Sequence, residues 1–194
     1  GEPGANLVGY AHAEIGMGEH VRMTAAALDP FDVPFGVINV AGTSTGRQQA
    51  RLDHGELIER PRFKANIFHV NADQMLPLFG RMGPALFAGR YNIGYWAWEL
   101  SRWPAEWHGM LELVNEVWAP SSFIHDAIAG ATSAPVRLMP LCVSLPALDA
   151  RHDRRHFGGR VDVVLARAHV AGDDEEHGPR HQQRSRHGHP GTDQ

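Results

Sequence analysis

Three short stretches combine residue types and spacings that could do chemistry. Gly16-Met17-Gly18 opens an apolar helical pattern, and glycines there let backbone N–H groups approach an anion with the help of the helix dipole. The run does not fit the dinucleotide fingerprint G-x-G-x-x-G, because the residue three after Gly18 is Val21, and a plain turn explains the pair as well. His69-Val70-Asn71-Ala72-Asp73 alternates polar side chains. His69 suits an acid, a base or a donor to a hydroxyl, with Asn71 and Asp73 as substrate contacts. The alternative is a buried histidine tying the loop together while Asn71 or Asp73 caps the next helix. In Trp96-Ala97-Trp98-Glu99, the carboxylate could hold a sugar hydroxyl or act as a base and Trp98 could stack on a sugar ring. Equally, Glu99 could pair with Arg102 or cap a helix while the tryptophans fill the core.

Other chemistries find little support. No G-x-S-x-G, Walker A, H-E-x-x-H or C-x-x-C motif occurs. Cys142, the single cysteine, permits no intrachain disulfide and reads as a small buried hydrophobe within Leu141-Cys142-Val143. His177, His181, His187 and His189 lack the ligand spacing of a zinc site. With 18 Lys and Arg against 22 Asp and Glu, a net charge of −4 gives no global field for nucleic acid or an anionic membrane. No apolar run approaches the roughly 20 residues a membrane-spanning helix needs, and the first residues lack the pattern of a signal peptide. The expectation is a cytoplasmic protein, possessing no transmembrane segment but able to make peripheral membrane contact.

The elements that must position these residues alternate. Strands are predicted at 5–10, 35–40, 66–70, 91–98, 116–119 and 136–139. Between them, helical spacing predicts helices from Glu19 to Leu28, from Ala72 to Met82 with Pro77 kinking or shortening it, from Pro104 past Trp107, Met110, Leu111 and Val114, and from Phe123 to Ala129. Ser121 or Ser122 should cap the last of these and Gly130 should close it. Residues 42–49 read as a mobile polar loop. This order argues for a parallel sheet covered by helices on both faces, a Rossmann-like α/β domain over residues 1–150. In such sheets ligands bind beyond the carboxyl ends of the strands, where all three stretches fall.

The strings NLVGYAHAEIGMGEHVRMTAAAL, NIFHVNADQM and, most specifically, YNIGYWAWELSRWPAEWHGMLELVNEVWAPSSFIHDAI resemble the N-terminal domain of bacterial retaining glycosyltransferases of the GT-B class, the group 1 or family-four type. The resemblance spans residues 6–157. It implies one half of a two-domain hexosyltransferase that moves a sugar from a nucleotide-sugar donor to a glycan or lipid-linked acceptor in glycan biosynthesis, without a metal. Carried over by position, Gly16 and Gly18 would face the donor phosphate, and His69, Asn71 and Glu99 would be residues of the cleft.

After residue 150 the pattern breaks. Residues 151–158 read as the start of an interdomain linker, and from Gly172 to Gln194 no hydrophobic residue occurs, so 159–194 reads as a disordered tail. The loss of aromatics and the excess of Arg, His, Gly and Pro beginning near Gly158 fit a shifted reading frame in place of the donor-binding domain. The expected entity is therefore a fragment carrying the acceptor side, inactive alone. The alternative is a non-catalytic sugar-binding or assembly module completed by a partner chain.

Overall fold

A computed structural model describes residues 1–42 and 46–143. The chain divides after Pro146, and the second unit, Ala147–Gln194, lies outside the described residues together with the expectations for linker and tail.

Six parallel strands form one sheet in the order β2-β1-β3-β4-β5-β6. They are β1 (Glu2–Gly9), β2 (Phe35–Asn39), β3 (Phe63–His69), β4 (Tyr91–Tyr95), β5 (Glu116–Ala119) and β6 (Val136–Leu138). Side chains of successive residues leave opposite faces of a strand, so apolar runs rather than alternation mark strands covered on both sides. Leu7, Val37 and Ile67 accordingly face α1 (Gly16–Leu28), which contributes Val21 and Ala25 to that core. Val8, Ile38 and Phe68 face the other side, where α2 (Met75–Met82), α3 (His108–Leu111) and α4 (Ser122–Ala129) supply Met75, Leu78, Leu111 and Ile128. The Rossmann-like expectation holds in this form.

Local differences from the sequence reading have identifiable causes. Residues 72–74 form a 3-10 turn and α2 begins at Met75, which places Pro77 in the first turn, where its missing N–H costs no hydrogen bond. β4 ends at Tyr95, not Trp98: the Trp96 indole folds back over Gly94, where an added Cβ would collide with it. After Pro104 only a 3-10 turn at 105–107 and the four residues of α3 follow, because the packed partners of Trp107 are the neighbouring tryptophans rather than the next turn of a longer helix. The link from β2 to β3 contains no helix among the described residues, and its segment 56–58 pairs along the outer edge of β2. Ser121 caps α4 by accepting from the Ile124 N–H, as expected.

One feature gave no signal in the sequence. Asn6, Asn66 and Asn92 stand in register on β1, β3 and β4, all buried, and form a continuous polar ladder. Asn6 Nδ2 donates to Asn66 Oδ1 and Asn66 Nδ2 to Asn92 Oδ1, both at 2.8 Å. The remaining capacity is used on backbone: Asn6 Oδ1 accepts from the Arg62 and Phe63 amides, Asn66 Nδ2 also donates to Leu86 O, and Asn92 Nδ2 donates to Phe87 O. A second buried group, Glu116, is similarly satisfied. Burial works to raise its pKa, but hydrogen bonds from Trp118, Tyr91 and Arg137 outweigh this and hold its carboxyl below the usual range.

Candidate active-site cleft

The strand order reverses between β1 and β3, and the crevice at the carboxyl ends of the strands next to that switch point is where open α/β sheets bind ligands. A cleft of about 410 Å³ lies there, lined by Ile15, Gly16, Met17 and His20 of the α1 start, Asn71 beyond β3, Ala97 and Glu99 beyond β4, Pro120 beyond β5 and Leu141 beyond β6. The connections after β1, β3, β4 and β5 and the segment beyond β6 thus converge on one opening.

The head of α1 is unusual in what it lacks. Its N-cap is Ile15, extended and without a side chain that could accept a hydrogen bond, so the amides of Gly16, Met17 and Gly18 have no capping partner among the described residues. α4, by contrast, carries the Ser121 cap. The two glycines differ in role. A Cβ on Gly16 would meet nothing within 4 Å, so this residue leaves open the approach to the amides. Gly18 is buried, and a Cβ there would strike the carbonyl oxygens of Ala13 and Tyr10: its absence lets the helix start pack onto the preceding loop. Gly16 therefore lines the cleft and Gly18 shapes it from behind.

The other sequence-selected residues divide likewise. Asn71 lines the cleft; its Oδ1 accepts from the Ala97 N–H at 3.4 Å, bridging the loops after β3 and β4, and it makes no side-chain capping bond to the 3-10 turn that follows. Glu99 is exposed at the cleft mouth and forms no ion pair with Arg102. Asp73 points elsewhere, accepting from Gln74 Nε2 at 2.7 Å. Trp98 also stands apart from the lining: its indole donates to Arg102 O and its ring packs against Trp103 and Trp107 in a four-tryptophan cluster with Trp96. Cys142 is exposed beyond β6, contrary to the buried setting expected of it, because β6 ends at Leu138 and the chain has left the sheet.

His69 is fully buried and does not reach the cleft directly. Its ring lies edge-on behind that of His20, centroids 4.7 Å apart, and both pack on Tyr95. Tyr95 offers neither a hydrogen bond, since its hydroxyl donates to the Met139 and Pro140 carbonyls. Among the described residues, neither nitrogen of His69 has a partner, nor does Nε2 of His20. Burial pushes the His20 imidazole down to about 4, and burial, then the neighbouring His20, holds His69 well below its ordinary value. Both rings are neutral at pH 7.

His20 was missed in the sequence, although the signal existed. Four residues after Gly16 on the same helix, it lies on the same face one turn further along. Among the described residues, no group of three or more His, Cys, Asp or Glu side chains could hold a metal ion, and no helix is long and apolar enough to cross a membrane. Among the described residues, the cleft lining contains no Lys or Arg. No protein-family model matches the chain, and no curated protein matches it.

Proposed function

We propose that this domain is the acceptor-side half of a nucleotide-sugar-dependent glycosyltransferase, with the donor phosphate at the head of α1 and the sugar toward Asn71 and Glu99. The observation that carries the reading is the uncapped start of α1 opening into the same cleft as a free carboxylate and an amide. Uncapped amides with the positive end of the helix dipole suit a phosphate. Among the described residues Glu99 forms no ion pair and the Nδ2 of Asn71 makes no hydrogen bond, so both suit the hydroxyls of a sugar.

The same cleft explains why this domain should bind without turning over. Stabilising a departing diphosphate needs permanently cationic groups placed on it, and among the described residues the lining contains no Lys or Arg. Those groups must come from outside the described residues, through further chain or a partner chain. The test is equilibrium binding of a panel of nucleotide sugars to the full 194-residue chain, with a parallel assay for sugar transfer and donor hydrolysis. Expected are saturable binding, preference for a nucleotide sugar over the bare nucleoside diphosphate, loss of that preference in Glu99→Gln and Asn71→Ala, and no turnover. Absence of binding to every nucleotide sugar would overturn the reading, and turnover would overturn its incompleteness.

A further inference from the structure

The His20–His69 pair is the one place among the described residues where two titratable side chains are packed together inside the protein with unused hydrogen-bonding nitrogens. A buried polar atom without a partner costs free energy, and such a group beside a ligand cleft finds its partner when the ligand arrives. His20 is 8% exposed, lines the cleft, and stands one turn below the uncapped amides of Gly16, Met17 and Gly18. We propose that His20 is a ligand-binding residue of the cleft, holding a phosphate-type anion as an imidazolium, so that anion binding takes up one proton from solvent. This rests on the reading of the cleft as a phosphate-binding site and names a group and a proton that reading does not contain.

The surroundings decide which ring takes the proton. From β3, His69 faces His20 but is enclosed on all sides, so a charge on it would be isolated from any anion. Placing protons on both rings would set two cations 4.7 Å apart. From β4, Tyr95 contacts both rings; burial, together with the nearby Cys142, pushes its hydroxyl up to about 12, so it stays neutral. Glu99, at the cleft mouth, is the one carboxylate in the lining among the described residues and is exposed to water. On α1 itself, Glu19 is engaged by Arg22 at 2.8 Å. Among the described residues no fixed anion holds His20 protonated, which accords with its depressed pKa. An anion at the α1 amides supplies that charge.

The test is an NMR titration of the His20 imidazole in the full chain, alone and with saturating pyrophosphate or a nucleoside diphosphate sugar, reading the Gly16–Gly18 amides in parallel. The expected result is that these amides shift on binding and that the His20 pKa rises by about three pH units from about 4. In His20→Gln, affinity at pH 6 should fall at least tenfold while affinity at pH 8 changes little. Response to pyrophosphate assigns the site to a bare diphosphate, and response only to the nucleotide sugar assigns it to the whole donor; His20 is judged in whichever arm binds. If the amides shift but the His20 pKa does not, the proton-linked role is overturned and the phosphate reading stands. If neither compound moves the amides, both fall together.

Discussion

The ladder of Asn6, Asn66 and Asn92 and the pair His20–His69 are both buried polar clusters against the same sheet, but they differ in how their hydrogen-bonding capacity is used. Within the ladder, every asparagine is bonded to a neighbour or to backbone across β1, β3 and β4. At the carboxyl ends of those strands, three imidazole nitrogens and the first amides of α1 have no partner among the described residues. Buried polar groups in folded proteins are paired as a rule, so a satisfied network specifies structure, whereas unpaired groups beside a cleft ask for a ligand. The contrast separates what holds the sheet together from what the sheet is built to present.

Substitutions can break this contrast from either side. Asn66→Leu should have the largest effect. It strands Asn92 Oδ1 and Leu86 O without their donor and forces extra volume between strands, destabilising the fold by about 4 kcal/mol in urea unfolding. Acid comes next. His20 is neutral when folded, with its pKa depressed to about 4, and titrates near 6.5 when unfolded, so below that value the unfolded chain binds the extra proton. Its contribution is complete above about pH 6.5 and is lost as pH falls toward 4, on the order of 3 kcal/mol, with His69 acting in the same direction. Urea midpoints measured from pH 7.5 to 4.5 would show it. The smallest effect belongs to His69→Leu. Removing an imidazole that bonds to nothing should change stability at pH 7 by less than about 1 kcal/mol and should flatten the acid loss. A large loss at pH 7 would mean that His69 has a structural partner after all.

Much of the architecture is legible in the sequence because two-sided burial leaves apolar runs such as Leu7-Val8 and Ile67-Phe68, and because Ser121 and Gly130 bracket α4 with ordinary capping chemistry. The boundaries that moved are those set by side chains meeting across space. Trp96 turns back over Gly94 to end β4, and the tryptophan cluster truncates the helix after Pro104. The candidate site was legible as a set of loops, since position after a strand selects Gly16, Asn71 and Glu99, which line one cleft. It could not say that Gly18 serves the turn rather than the cleft, that Trp98 and Asp73 face other partners, or that His69 stands behind His20. Those assignments depend on which face of an element meets which neighbour, and they appear only with the fold.

The most direct test of the contrast is to map nucleotide-sugar binding on the full chain by backbone and side-chain amide NMR shifts. The account predicts perturbations at Gly16, Met17, Gly18, His20, Asn71 and Glu99, with the side-chain amides of Asn6, Asn66 and Asn92 unmoved. Shifts centred elsewhere on the molecule, or saturable binding that leaves the head of α1 untouched, would contradict it.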